Sequence, residues 1–284
     1  MKILVFGSTG MLGHTLIKYL QTQSSIEVEF TARNKSRQEL CKKIFGKQAK
    51  YIVNAYQAYS ALKAINDFKP AYCINCLGLI KQRNDSKNFL NYIKVNSLLP
   101  HLLSKYSAEN NARLIHISTD GVYSGLKGNY NENDNPDPLD FYCRSKLLGE
   151  VCNENSMTLR TSIIGPEINS SKGLLEWFKS KNEIVYGYSN VWFTGFPTIE
   201  LARIIFNYII KKDIKNDIYN VSSNPINKLN LLMLINNIYG LNKKILEDKS
   251  IKVNRTLDCS KFIAETNFVK DEWHLMIKKM KQFG

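Results

Sequence analysis

The tightest constraint on what this chain can fold into lies in its first 21 residues. An apolar run over residues 3–6 stops at Gly7, passes through Ser8-Thr9-Gly10-Met11-Leu12-Gly13, and continues as a helical pattern over Met11–Gln21. A strand that turns through glycines directly into a helix exposes unpaired backbone N–H groups at the positive end of the helix dipole. Gly7, Gly10 and Gly13 keep the turn free of side chains, so a pyrophosphate can approach the backbone. Thr9, Met11 and Leu12 belong to the same turn and would touch the bound dinucleotide. A glycine turn with no ligand is the plain alternative, but its place directly after the first strand favours a cofactor site.

The rest of the first half repeats this rhythm. Strand patterns at 27–31, 51–53, 72–77, 113–118 and 157–160 alternate with helical ones at 58–68, 89–106 and 140–153. Such alternation on short loops predicts an α/β fold with a Rossmann-like, doubly wound parallel sheet covered on both faces. Residues 129–140, dense in Asn, Asp and Pro, read as a loop. After Gly165 helical patterns dominate at 174–181, 199–212, 229–239 and 272–279, with short strands at 183–186 and 218–221. The expected division is a cofactor-binding domain over 1–164, joined by a return segment at about 196–222. A smaller substrate-binding region would comprise 165–195 and 223–284.

The charge balance needs a separate account, because 39 Lys+Arg against 25 Asp+Glu give a formal +14. The cations are scattered in pairs such as Lys42-Lys43 and Lys278-Lys279, with no basic block. Diffuse surface charge is the better reading than a nucleic-acid partner. No apolar run nears the roughly 20 residues of a membrane span, and the apolar start is too short for a signal peptide. A cytoplasmic protein with no membrane partner is expected. The six cysteines form no framework. Cys73 and Cys76 have the spacing of a redox pair but fall in a strand pattern, where they read as buried thiols. The four histidines show no metal-ligand spacing, so no metal is expected.

After the second strand comes Arg33-Asn34-Lys35, where an acidic residue would accept a ribose 2′-hydroxyl. Cations there instead suit a 2′-phosphate, and Arg33 points to NADPH rather than NADH. Tyr-x-x-x-Lys occurs at Tyr59/Lys63, Tyr142/Lys146 and Tyr208/Lys212. Only Tyr142/Lys146 follows a strand ending in hydroxyls, Ser118-Thr119-Asp120. One helical turn places Tyr142 and Lys146 on one face, and a nearby ammonium is expected to lower the phenol's pKa so that it delivers a proton near neutral pH.

Gly7-x-x-Gly10-x-x-Gly13, Ser118-Thr119-Asp120 and Tyr142-x-x-x-Lys146, in this order, resemble an extended short-chain dehydrogenase/reductase. The strings LIHISTDGVYSGLKGNY, FYCRSKLLGE and LRTSIIG are similar to dTDP-4-dehydrorhamnose reductases and related nucleotide-sugar reductases. The resemblance implies Tyr142 as proton donor, Lys146 on the nicotinamide ribose, and Thr119 on the substrate oxygen. It also implies Asn96 as a support of the active site and Leu77 and Gly78 lining the cofactor. Asn54 stands where an aspartate often meets the adenine. Lys81, Gln82 and Arg83 would face sugar or diphosphate, Trp177 would pack on the nucleotide unless it takes the core place more common for an aromatic at helical spacing, and Arg255 would meet the diphosphate. Dehydratases of this kind carry Asp-Glu after the threonine and GDP-fucose synthases a cysteine; here Asp120-Gly121 stands instead. Gly121 also departs from the tyrosine common in the reductases. The implied activity is NADPH-dependent reduction of a nucleotide-linked 4-keto-6-deoxy sugar for surface polysaccharide. A nucleotide-sugar epimerase and a non-catalytic NADP-binding regulatory subunit are the alternatives, and a homodimer is the assembly considered.

Overall fold

The computed structural model describes residues 1–80, 89–168, 171–181 and 184–284. Lys81, Gln82, Arg83 and Glu183 lie outside the described residues. The first half runs β1 (Lys2–Phe6), α1 (Met11–Gln21), β2 (Glu27–Ala32), α2 (Lys35–Phe45), β3 (Tyr51–Ile52), α3 (Tyr59–Phe68) and β4 (Tyr72–Asn75). It continues through α4 (Phe89–Tyr92), a π-helical turn (Ile93–Leu98), α5 (Leu99–Glu109), β5 (Arg113–Ile117), α6 (Phe141–Leu147) and β6 (Ser156–Arg160). The second half holds β7 (Ile163–Ile164), α7 (Leu174–Ser180), β8 (Ile184–Tyr188), β9 (Val191–Phe193), β10 (Phe196–Pro197), α8 (Thr198–Ile204) and β11 (Ile218–Asn220). After these come β12 (Ile226–Asn227), α9 (Lys228–Tyr239), β13 (Lys244–Asp248), β14 (Val253–Asn254), α10 (Ser260–Thr266) and α11 (Trp273–Phe283).

Seven strands form one sheet in the order β11-β6-β5-β4-β1-β2-β3, and every neighbouring pair is parallel. Strand β1 shows why the sheet lies inside: Ile3 and Val5 join one core cluster while Leu4 and Phe6 join the other. A strand whose alternate residues are all apolar is stable only with helices on both faces. The chain winds outward from β1 to β3 and then crosses back to β4. Between the carboxyl ends of β1 and β4 this reversal leaves the crevice where such sheets take ligands.

Several local expectations change. Helix α2 has no apolar stripe to announce it, since only Cys41 and Phe45 are buried. Its ends carry the signal: the Asn34 side chain accepts from Arg37 N–H at the start, and Gly46 closes it at φ +74°. Helix α6 stops at Leu147 and does not reach 153. Gly149 there lies so close to the Asn96 carbonyl that a Cβ would collide with it, and Glu150 turns inward to Arg160. Strand β4 ends at Asn75 because its side chain accepts a hydrogen bond from Leu77 N–H and turns the chain.

The second half builds against the first. Helix α8 packs on α1, with the Thr15 and Thr198 hydroxyls 3.0 Å apart. Strands β8 and β13 pair in parallel, and β9 lies between β12 and β14. Strand β11 returns to the edge of the main sheet beside β6.

Candidate active site

The glycine turn meets the demands read from its sequence. Gly7 adopts φ +93°, and a Cβ on it would sit 3.2 Å from the Cys76 carbonyl group of the neighbouring strand end. A Cβ on Gly13 would collide with the Gly7 carbonyl, so helix α1 approaches the strand only because both residues lack side chains. Gly10 is the residue preceding α1, and no side chain caps that N-terminus. Thr9, Met11 and Leu12 sit in the same turn. Arg33, exposed at the end of β2, stands next to the Asn34 cap of α2. Asn54 holds its own turn, accepting from Tyr56 N–H at 3.0 Å.

Across the crevice, Leu77 and Gly78 follow β4. Asn96 fixes that segment by accepting from Leu79 N–H at 2.8 Å and donating to the Leu79 carbonyl at 3.1 Å. The same amide donates to Ser145 Oγ at 3.0 Å, and Ser97 Oγ donates to the Ser145 carbonyl. Asn96 and Ser97 thereby tie the cofactor-side turn to helix α6. That helix opens at Asp140, whose carboxylate accepts from Cys143 N–H at 2.8 Å. It presents Tyr142 and, one turn later, Lys146.

Thr119 follows β5 in extended backbone, and its Oγ1 accepts from Gly121 N–H at 3.1 Å. The Thr119 hydroxyl donates to Asp120 Oδ1 at 3.2 Å and is close enough to the Tyr142 phenol to favour its ionised form. Lys146 is buried, with Nζ donating to the Ile117 carbonyl at 2.6 Å. Burial lowers its pKa to about 8, against the opposing pull of Glu150 and Cys76. The expected depression of the phenol is not found: burial raises the Tyr142 pKa, the Cys143 and Asp120 groups add to that, and only the Thr119 contact opposes it. Lys146 is absent from the groups acting on the phenol because its nitrogen is turned down onto the strand.

Behind the triad lies a buried ion pair. Arg160 donates to Glu150 through Nε and Nη2, at 2.7–3.1 Å. Ser118 Oγ donates to the same carboxylate at 2.7 Å, and Arg160 Nη1 donates to the Tyr123 hydroxyl. The loop after Thr119 is then zipped to the distant segment 254–258. Asn254 N–H donates to the Gly125 carbonyl, Tyr130 N–H to Thr256, and Asp258 N–H to Tyr130. This zipper carries Arg255 within electrostatic reach of Asp120 and Cys143. Arg255 Nε is buried and has no hydrogen-bond partner among the described residues.

Comparison with known proteins now bears on this geometry. Residues 1–223 match the RmlD substrate binding domain family. The chain belongs to this family. A dTDP-4-dehydrorhamnose reductase of Aggregatibacter actinomycetemcomitans is 25% identical over 241 residues, covering 79% of this chain and 74% of that one. Methionine adenosyltransferase 2 subunit beta of Xenopus tropicalis is 27% identical over 172 residues, 57% of this chain and 47% of the relative. The match thus spans about half the length of that relative. Among solved structures, a dTDP-4-dehydrorhamnose reductase of Bacillus anthracis in complex with NADP superposes with TM-score 0.80 at 18% identity, covering 99% and 98% of the two chains. A Clostridium acetobutylicum dTDP-4-dehydrorhamnose reductase gives 0.79 at 21% identity, covering 99% of each.

Sequence reasoning overlooked three residues that stand close to these groups. Lys228, at the start of α9, lies over the Phe193 ring at 3.8 Å and in reach of Asp120, and burial lowers its pKa to about 8. Nothing local announces it, since α9 is distant in sequence from Asp120. Cys143 fills the space beside Gly121, where a Cβ would fall 2.6 Å from its sulfur. The missing side chain at 121 was the available signal for that second residue. His116, one of the four histidines and buried within β5, brings Nε2 to 3.4 Å from Lys146 Nζ. Trp177 goes the other way: its ring packs against the larger core with Lys181 above it at 5.7 Å. Lys81 lies outside the described residues. Cys73 and Cys76 are free thiols, pushed up to about 12 by burial.

Proposed function

We propose that the chain is an NADPH-dependent reductase of a nucleotide-linked 4-keto-6-deoxy sugar, acting in the cytoplasm for surface polysaccharide synthesis. The observation that carries the reading is the Thr119–Tyr142 hydroxyl pair at the carboxyl end of the sheet, with Lys146 one turn below. Cys76 links this group to the glycine turn, acting on Lys146 and bordering Gly7 through its carbonyl. That turn fits a dinucleotide, because a Cβ on Gly13 would collide with the Gly7 carbonyl, and Gly7 itself sits at φ +93° in tight approach to Cys76.

NADPH, when bound, supplies the hydride. Gly7, Thr9, Gly10, Met11, Leu12 and Gly13 would hold its pyrophosphate and Arg33 its 2′-phosphate. Asn54, Leu77 and Gly78 would line it, and Asn96 keeps that lining in place. Thr119 orients the substrate's keto oxygen, and Tyr142 gives its phenolic proton to that oxygen as negative charge develops there. A phenol raised by burial stays protonated in the resting site, which suits a donor. Lys146 would come to the nicotinamide ribose by leaving the Ile117 carbonyl. Arg255 and Lys228, both in electrostatic reach of Asp120, offer cations to a substrate diphosphate, while the packing of half-buried Trp177 against the core weakens its claim on the base. Reduction is favoured over epimerisation because Gly121 carries no group to exchange a ring proton.

Tyr142→Phe tests the assignment. Turnover of NADPH with a dTDP-4-keto-6-deoxy sugar should fall at least about 1000-fold while NADPH binding persists. Turnover within about twofold of wild type would remove Tyr142 from the reaction. A non-catalytic subunit is the second reading, favoured by the 27% identity to methionine adenosyltransferase 2 subunit beta. A stoichiometric protein partner together with no ketosugar turnover would decide for it.

A further inference from the structure

Beneath the catalytic pair, two buried polar residues that the proposed reduction leaves unused lead to Lys146 on α6: Asn75 at the end of β4 and His116 on β5. Asn75 Oδ1 accepts from Leu77 N–H at 3.1 Å. A backbone N–H only donates, so oxygen is the amide atom facing it and the Asn75 nitrogen faces the other way. That nitrogen lies 3.0 Å from His116 Nδ1, and an amide nitrogen also only donates. His116 Nδ1 therefore presents a lone pair, which excludes a doubly protonated ring. Burial, with Lys146 and His101 adding to it, drives the His116 pKa well below its ordinary value, in the same direction. The one ring proton then sits on Nε2, 3.4 Å from Lys146 Nζ.

Nζ has a second neighbour, the Ile117 carbonyl at 2.6 Å. A neutral amine satisfies both, accepting from the ring N–H and donating to the carbonyl. An ammonium satisfies the carbonyl but meets the ring N–H with another N–H. The groups favouring the charge are the Glu150 carboxylate, already bonded to Arg160 and Ser118, and the Cys76 thiol. Tyr142 stands one turn away on the same helix. Burial outweighs them, and Lys146 loses its proton near pH 8.

We propose that His116 is a positioning residue for Lys146: held by Asn75 with its proton on Nε2, it favours the amine over the ammonium and sets the pH at which Lys146 changes charge. The proposal concerns the cofactor-free protein and needs no substrate. Its consequence for turnover rests on the reductase reading.

The test is long-range proton–nitrogen NMR on cofactor-free protein labelled with 15N-histidine, with His116 assigned by its loss in His116→Gln. Between about pH 6 and 9 the expected pattern is bare Nδ1 and protonated Nε2. An inflection near pH 8 should be present and should vanish in Lys146→Met. A proton on Nδ1, or an imidazolium, would overturn the proposal. Asn75→Asp replaces the donor with an acceptor, so the ring proton should move to Nδ1 and the inflection rise by about one pH unit or more. An unmoved inflection with an intact fold would equally overturn it. In NADPH oxidation, the alkaline limb should move upward in both His116→Gln and Asn75→Asp. A packing role alone would lower the rate at every pH and leave the limb in place. Absence of turnover in wild type would count against the reductase reading, and the NMR pattern would still decide the role of His116.

Discussion

The two sides of the crevice are built in different ways. On the cofactor side, one contiguous stretch supplies the turn: Gly7 and Gly13 pack on each other, and Thr31, Cys41 and Cys76 add contacts from the neighbouring elements. On the catalytic side, Thr119 and Tyr142 are held by partners from four separate segments. Glu150 and Arg160 brace the strand end, Asn96 and Ser97 brace the helix, and residues 254–258 close the loop from the far end of the chain. A contiguous turn tolerates change elsewhere, whereas an assembled loop inherits the stability of everything that holds it. Damage to the brace should therefore silence chemistry and leave cofactor binding.

Glu150→Ala is the strongest challenge to that contrast. Both partners of the ion pair are 5% exposed, and removing one leaves a buried guanidinium unpaired, a loss of about 3–5 kcal/mol. Chemical denaturation should show that loss, with NADPH binding persisting in the folded fraction. Loss of binding in step with turnover would merge the two sides into one unit. Gly13→Val is the reciprocal change. Its side chain would press on the Gly7 carbonyl, and overpacking of about 1–3 kcal/mol should weaken NADPH about 10- to 100-fold in calorimetry. Sugar-nucleotide binding should hardly move.

Lys228 sharpens the catalytic side. Its pKa falls from 10.5 to about 8, so between those values the unfolded chain binds more protons than the native one. Stability should rise with pH across that window, and below pH 8 the full penalty is present. Lys228→Met should therefore gain about 1–2 kcal/mol near neutral pH, with the advantage fading above about pH 10. A flat difference across pH would show that Lys228 is not a strained buried cation. The smallest effect is expected at the exposed Arg33. Arg33→Ala should weaken NADPH about tenfold and leave NADH unchanged, measured by titration of each cofactor. Equal loss for both would take Arg33 away from the 2′-phosphate.

Legibility in the sequence followed the same division. The β1 turn and the strands of the first half could be read because their signals are local: apolar alternation, glycine spacing and helical period. Helix α2 escaped because its residues are mostly exposed cations and only its caps mark it. Helix α6 was drawn too long because nothing local says that Gly149 must pass the Asn96 carbonyl. The shift of Tyr142 was misjudged for a related reason. Spacing put Lys146 on the same face, but only the packed structure shows its nitrogen bonded to Ile117 and His116.

By itself the sequence determined a parallel α/β sheet with a glycine turn at its first strand, and the Thr119, Tyr142 and Lys146 constellation. These depend on periodicity and spacing, which short-range backbone geometry enforces. Tertiary structure alone decided which cations reach the crevice and which protons sit where. Arg255 and Lys228 arrive from the second half of the chain, and Lys146 meets two neighbours on β5, His116 and Ile117. Of a net +14, those few cations are set apart, because burial and long-range contact set their electrostatics and neither is written in local sequence.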